Sequence, residues 1–198
     1  MARKPAEQTV NREDILFAAA AVLHEKGYHR AKMEDIARAV DLTAGSLYHH
    51  FPNGKQEILL AVLNFGLDEI SKHVREILDS NAPPEEKLRR VVTLHITGIT
   101  DNVSIGAAMV FEIRTMLDIA EVREAYIARR DQFESLFRQI IQEGIDEGAF
   151  KPVDVKLFVR MILGAHNWVG VWYRDTGPLS GEDIAARMTE WFLAALKS

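Results

Sequence analysis

The sequence predicts an all-α protein in which three short helices form a small N-terminal domain and about six longer helices form a second domain. Apolar residues recur at helical spacing along nearly the whole chain, whereas alternating runs of β-branched and polar residues are almost absent. Breaks at Gly27 and at Pro52 to Gly54 divide the first part into short segments. We therefore expect residues 1–54 to form the first domain and residues 55–198 the second.

The bounds of the first three helices follow from the spacing of their apolar residues and from the residues that begin or end a helix. The first helix should span residues 11–26, with its apolar face beginning at Ile15 and its end at Gly27. A short helix over residues 32–40 and another over residues 44–50 follow, separated by a three-residue turn whose last member, Thr43, suits an N-cap.

The later helices are longer and are punctuated by proline, glycine and serine. Pro84 suits the first position of a helix, and Ser180 suits an N-cap. The predicted helices cover residues 55–79, 84–100, 104–116, 122–147, 153–174 and 180–197, which makes about nine in the whole chain.

Composition excludes several classes of protein. The chain has 198 residues, 47% of them hydrophobic, which is ample for a core, and it has no cysteine for disulfides, thiolate zinc sites or thiol nucleophiles. The longest apolar run, from Ile15 to Leu23, is nine residues, well short of the ~18–20 that a membrane span needs. It also lacks the basic flank of a signal peptide. We expect a cytoplasmic protein without a membrane partner.

Charge is distributed unevenly along a chain of net charge −5. Residues 1–55 carry 8 Lys/Arg and 7 Asp/Glu, a net of +1, whereas residues 56–198 carry 16 and 22, a net of −6. The asymmetry is modest, but it directs any polyanionic partner to the N-terminal part.

The two short helices and their turn match the helix-turn-helix pattern. The second begins with Thr43, Ala44, Gly45 and Ser46, small residues that allow close approach and offer hydroxyls to phosphates and base edges. Lys55 opens the next helix, whose free N–H groups also favour a phosphate. We predict double-stranded DNA as a partner. The predicted contact residues are Lys32, Met33, Thr43, Ala44, Gly45, Ser46, Tyr48, His49, His50 and Lys55, with Leu47 and Phe51 directed into the core.

This part of the chain resembles the signature of the TetR family of bacterial regulators. The matching residues are Met33 to Ala37, Asp41 to Phe51 and Lys55, which together give an Ile-Ala pair, a turn, a Gly-Ser-Leu-Tyr-x-His-Phe run and a lysine. The resemblance implies a homodimeric repressor that a small molecule releases from a palindromic operator.

The match departs from the family pattern at three points. Ala31-Lys32 replaces the usual Ser or Thr cap, Asp41 replaces a common glycine, and Gly54 adds a residue that changes where Lys55 is aimed.

The second domain carries no catalytic motif. A glycine-rich phosphate loop, a His-Glu-x-x-His helix and a nucleophile elbow are all missing from the sequence. His49 and His50 diverge by ~100° on a helix and cannot chelate one metal together. We therefore predict neither an enzyme, nor a metal site, nor a cofactor.

Several polar residues interrupt apolar helices of this domain. A buried polar group costs ~1–3 kcal/mol unless it is paired, and for any single residue a structural partner is the more common explanation. Together, amid methionine and aromatic residues, such groups suit a ligand cavity between helices. The predicted ligand-binding residues are His95, Met109, Glu112, Tyr126, Arg130, Phe133, His166 and Asn167, with His95 and His166 foremost.

A second resemblance concerns the effector. His166-Asn167-Trp168, Trp172-Tyr173-Arg174 and residues 177–180, with Gly144, Gly148 and Phe150, resemble a branch of TetR regulators that respond to acyl-CoA thioesters. It implies an acyl-CoA or fatty-acid-like effector. Arg129, Arg130 or Arg174 could meet the phosphates of an acyl-CoA, although exposed arginines usually belong only to a solvated face.

The last two helices carry more apolar residues than one core-facing stripe needs. Two helices from each of two chains would bury the excess as a four-helix interface, although a thick core is the simpler alternative. The predicted interface residues are Leu157, Met161, Gly164, Trp168, Trp172, Ile184, Met188, Trp191 and Phe192.

Two other functions remain open from the sequence. In an enzyme or lipid carrier the N-terminal helices would only pack, and in a helical interaction module there would be a protein partner and no cavity.

Overall fold

The computed structural model describes residues 10–101 and 120–197, and all the regular structure in these two ranges is helical. Its eight helices are α1 (Arg12–Lys26), α2 (Met33–Ala39), α3 (Ala44–His50), α4 (Lys55–Leu78), α5 (Pro84–Asp101), α6 (Ala120–Asp146), α7 (Val155–Trp172) and α8 (Gly181–Leu196). The all-α prediction is confirmed, and the helix predicted over residues 104–116 lies outside the described ranges. No helix in these ranges is long and apolar enough to cross a membrane.

The short N-terminal helices are fixed by local hydrogen bonds. The Thr43 Oγ1 accepts the Ser46 N–H at 3.0 Å and so caps α3 as predicted. Lys32 opens α2 without a side-chain cap, and the Asp35 carboxylate reaches back to accept the Lys32 N–H at 3.1 Å. Asp41 takes the left-handed conformation, with φ 54°, which a short polar residue tolerates better than most. The first two departures from the family pattern therefore leave the motif intact.

Helix α4 belongs to two hydrophobic cores. Its first turns contribute Ile58, Leu59, Val62 and Leu63 to the core formed with α1, α2 and α3. Further along, Leu67 joins the core that α4 shares with α5 to α8. The expected domain boundary after residue 54 thus falls at the start of a helix that both units share.

Glycines allow close packing at two points of the larger unit. A Cβ on Gly181 would lie 2.1 Å from the Thr100 Oγ1, so α8 starts directly against α5. At the end of α6, Gly148 has φ 73° and the chain turns back. The Phe150 ring then covers Gly144, where a Cβ would lie 2.1 Å from a ring carbon. This contact gives a structural reason for the Gly144, Gly148 and Phe150 pattern.

Candidate functional sites: a DNA-binding surface and a helical cavity

Helix α3 presents the predicted face outward. Tyr48 is 47% exposed, whereas Leu47 and Phe51 are fully buried in the N-terminal core. The other exposed members of the predicted set are Lys32, Thr43, Gly45, His49 and His50, and Ala44 and Ser46 are half-buried. We call Lys32, Gly45, Tyr48, His49 and His50 the α3 surface.

Two predicted contact residues have internal roles instead. Met33 is only 6% exposed and packs in the N-terminal core, so the prediction that its side chain contacts DNA is wrong. Its apolar side chain belongs to the buried stripe of α2 with Ile36 and Ala37. The Thr43 hydroxyl accepts the Ser46 N–H and lies 2.9 Å from the Ser46 Oγ, so its first role is that of a cap.

Lys55 points inward. Its Nζ donates to the carbonyl oxygens of Tyr28 and Ala31, the second at 2.7 Å, and lies 4.4 Å from the centroid of the Tyr28 ring. Gly54, the extra residue in the motif, directly precedes Lys55 and has φ 69°. This agrees with the expectation that Gly54 changes where Lys55 is aimed. The prediction that this ammonium is held ready for a phosphate is therefore corrected, because it fastens the start of α4 to the loop between α1 and α2.

A shallow depression beside the α3 surface includes residues that the sequence analysis missed. They carry donors on the same side of the molecule but belong to loops and to the start of α4, so no periodic pattern marks them. These residues are His29, Asn53 and Gln56.

A cavity of about 360 Å³ lies between α4, α5, α6 and α7. Five of the eight predicted ligand-binding residues line it: His95, Tyr126, Arg130, Phe133 and Asn167. His166 lies behind His95, and Met109 and Glu112 fall outside the described residues. The lining residues that the sequence analysis missed are Leu67, Glu134, Arg160, Leu163 and Gly164. Gly164 was assigned to the dimer interface instead, and the other four occupy ordinary helical positions that gave no distinguishing signal.

His95 and His166 form a buried pair. Their Nδ1 atoms are 2.9 Å apart, and their rings meet edge to face with centroids 5.1 Å apart. The rings of Phe133, Phe137 and Phe192 surround the pair. Burial lowers the pKa of His95 to about 4. Burial, and secondarily the neighbouring His95, lowers the pKa of His166 well below its ordinary value of 6.5. Both rings are therefore neutral at neutral pH.

Arginines crowd one side of the cavity. The buried Glu134 carboxylate accepts hydrogen bonds from Arg138 and Arg160, the latter at 3.2 Å. Arg130 pairs with Asp131 at 2.8 Å and holds the pKa of that carboxyl below its ordinary value. These three arginines against two carboxylates leave one net positive charge beside a cavity that also has apolar walls.

The cavity is connected to the N-terminal unit through α4 and α6. Leu67 of α4 forms part of the cavity wall, and Tyr126 of α6 packs against both hydrophobic cores. An ion pair between Arg129 and Asp68 also joins α6 to α4. A molecule that displaces the Tyr126 ring or Leu67 therefore acts directly on the helix that carries Lys55.

Helices α7 and α8 expose a large apolar face. Trp191 is 68% exposed, Leu157 67% and Trp168 62%, with Met161 and Trp172 also exposed. Gly164 is open, and Met188 is half-buried. Ile184 and Phe192 are 4% and 7% exposed and lie in the core of the same chain, so their assignment to this face is wrong. They form the stripe of α8 that packs inward.

Within the described ranges, no three His, Asp or Glu side chains come together as metal ligands.

Comparison with known proteins accounts for both units. Residues 15–62 match the model described as bacterial regulatory proteins of the tetR family, and residues 81–196 match the tetracyclin repressor-like C-terminal domain. The transcriptional repressor KstR2 of Mycobacterium tuberculosis is 31% identical over 187 residues, which is 93% of this chain and 92% of that protein.

Solved structures agree with this assignment. The TetR family regulator PfmR from Thermus thermophilus is 32% identical, with a TM-score of 0.83 over 95% of this chain and 100% of that one. AibR in complex with isovaleryl coenzyme A and operator DNA is 27% identical, with a TM-score of 0.80 over 90% of this chain and 96% of that one. The predicted family and regulatory function are thereby confirmed, and the chain belongs to the TetR family of DNA-binding transcriptional regulators.

Proposed function

We propose that this protein is a homodimeric repressor that leaves a palindromic operator when an acyl-CoA thioester enters the cavity. The observation that carries the proposal is the continuity of α4. One helix of 24 residues begins in the DNA-binding core at Lys55 and supplies Leu67 to the cavity wall. The protein acts in the cytoplasm, where the DNA is, and as a regulator without enzymatic turnover.

The exposed face of α3 supports the DNA-binding role. Tyr48, His49 and His50 are exposed and Gly45 lets the helix approach the major groove closely. In a dimer joined through α7 and α8, two copies of α3 spaced ~34–36 Å apart would enter successive major grooves.

The chemistry of the cavity supports the acyl-CoA. Leu67, Phe133 and Leu163 offer apolar contacts for an acyl chain in a cavity of about 360 Å³. Arg130 and Arg160 line the same cavity and are half-exposed, so they can meet phosphates at the solvent side. The structural neighbour AibR was crystallised in complex with isovaleryl coenzyme A and operator DNA, so a protein of this fold binds such a thioester.

Ligand binding and DNA binding are coupled because the protein populates two conformational states, only one of which fits the operator. A ligand weakens DNA binding only if it binds more tightly to the state that does not fit the operator. Because Tyr126 contacts both cores and Leu67 is part of α4, filling the cavity changes how α4 packs and thereby the spacing of the two α3 helices.

Fluorescence anisotropy with the DNA upstream of the protein's own gene tests the first step. We expect tight, salt-dependent binding to a palindrome, with Tyr48→Ala and Ser46→Ala losing more affinity on that DNA than on random DNA. His73→Ala on the exposed side of α4 is the control and should bind like the unaltered protein. Equal losses on both DNAs would contradict the assigned role of α3.

A panel of acyl-CoAs, from isovaleryl-CoA to palmitoyl-CoA, tests the second step. At least one member should release the operator at micromolar concentration, whereas free CoA should not. Leu163→Trp places an indole in the space for the acyl chain, so this variant should bind the acyl-CoA more weakly in a titration without DNA. Recovery of the acyl-CoA unchanged after incubation distinguishes a regulator from a thioester-cleaving enzyme. Failure of the whole panel would exclude this class of effector.

A further inference from the structure

We infer that His166 fixes the proton of His95 on its Nε2, so that the cavity presents a buried N–H donor and selects ligands with a carbonyl oxygen at that point. This inference deepens the proposed function and rests on it for the ligand. The donor itself follows from the geometry of the pair.

Proton counting leaves only two arrangements. Two neutral imidazoles carry one proton each, and a hydrogen bond between two Nδ1 atoms needs a proton on one of them alone. If His95 donates, His166 must carry its own proton on Nε2. If His166 donates, its Nε2 is bare and His95 carries its proton on Nε2.

The surroundings of His166 distinguish these arrangements. Its Nε2 is buried and has no hydrogen-bond partner in the part of the chain that the structure describes, and the ring is fully buried beside Phe137 and Phe192. An orphaned buried N–H is rarer in proteins than an under-satisfied acceptor. The favoured arrangement therefore leaves a lone pair at this position and puts the donor proton on the Nδ1 of His166.

His95 then directs the remaining proton to the ligand. Its ring lines the cavity, and because Nδ1 faces His166, Nε2 lies on the other edge of the ring. A thioester carbonyl is an acceptor without a proton of its own, so it satisfies this donor, whereas a methylene at the same place leaves it unpaired. His166 is a positioning residue because it acts only through His95.

Nitrogen NMR of the ¹⁵N-histidine-labelled protein tests the tautomers directly and without any ligand. We expect His166 to carry its proton on Nδ1, the less common form, and His95 on Nε2. The His166→Asn and His95→Gln variants assign the two sets of signals. A proton on Nε2 of His166 would overturn the inference, whatever the protein binds.

Calorimetry with octanoyl-CoA and its thioether analogue S-octyl-CoA, which differ only at the carbonyl, tests selection. We expect the protein to prefer the thioester roughly tenfold, as a lost hydrogen bond to a buried donor implies. His95→Leu should erase this preference while still binding both compounds, and His95→Gln, whose amide N–H takes the place of Nε2, should retain it.

His73→Leu is the matched control, since His73 is an exposed histidine of α4 that does not line the cavity. The preference should survive this substitution. A preference that persists in His95→Leu, or equal binding of the two compounds by the unaltered protein, would overturn the inference. If neither compound binds and the acyl-CoA panel also fails, the proposed effector is wrong, and the NMR result alone decides the position of the proton.

Discussion

The ammonium of Lys55 lies 2.7 Å from the carbonyl oxygen of Ala31, so the first residue of α4 is tied to the residue just before the N-cap of α2. A hydrogen bond from a charged donor contributes about 1.5–3 kcal/mol when it is shielded from water. The contact thus makes the orientation of α2 and α3 depend on the position of α4.

Lys55→Met should lower the thermal unfolding midpoint because it leaves two loop carbonyls without this donor. Lys32→Met is the matched control, since Lys32 is exposed at the start of α2. The control should keep its midpoint but reduce the slope of log affinity against log salt by about 1. Calorimetry and DNA titrations measure the two effects. An unchanged midpoint for Lys55→Met would contradict the structural role of Lys55.

Acid should destabilise the protein through the histidine pair. The folded pKa of His95 is about 4, below its ordinary value of 6.5, so the unfolded chain binds more protons between these values. The free energy of unfolding is therefore highest above about pH 6.5 and decreases as the pH drops toward 4. The decrease is on the order of 3 kcal/mol for His95 alone. Urea unfolding at several pH values should show a shallower fall in the His95→Leu/His166→Leu variant. His73→Gln should retain the full fall, and equal slopes in all three proteins would refute the explanation.

Trp191 lies on the exposed apolar face of α7 and α8, and its side chain is 68% exposed. A charge placed in the centre of an apolar dimer interface is costly to bury. Trp191→Glu should therefore shift the protein toward monomer in sedimentation experiments and weaken operator binding, with an unchanged helical circular dichroism spectrum. Phe17→Glu, at a 44% exposed aromatic residue of α1, should remain dimeric. A dimeric Trp191→Glu would place the interface elsewhere.

Gly144 and Gly98 offer a matched test of the turn at the end of α6. A Cβ on Gly144 would lie 2.1 Å from the Phe150 ring, whereas one on Gly98 would find its nearest neighbour at 3.8 Å. Gly144→Ala should destabilise the protein by about 1–3 kcal/mol through overpacking. Gly98→Ala should be neutral or stabilising by up to about 1 kcal/mol, because alanine favours the helix. Similar unfolding midpoints for the two variants would contradict the packing described.

Helix periodicity and caps predicted most of the fold. The Thr43 cap and the α3 bounds agree with the structure, because both depend on interactions within a few residues. Lys55 and Met33 were misassigned since a motif gives the position of a residue but not the direction of its side chain, which depends on Gly54 and on the core under α2.

The cavity was predicted only in part for a similar reason. His95 and Asn167 are polar residues in apolar surroundings and therefore visible in the sequence, whereas Leu67 and Leu163 look like any other core residue. The contact between His95 and His166 joins residues 71 positions apart, and no local pattern encodes it.

The shared use of α4 also limits how such regulators can be recombined. Ile58 and Leu63 fill the core beneath α1 to α3, so the recognition helix depends on residues that follow the Gly54–Lys55 bond. A chimera that joins this DNA-binding domain to another ligand-binding domain would need its junction within α4, beyond Leu63. A junction at residue 54 would remove part of the hydrophobic core of the DNA-binding domain.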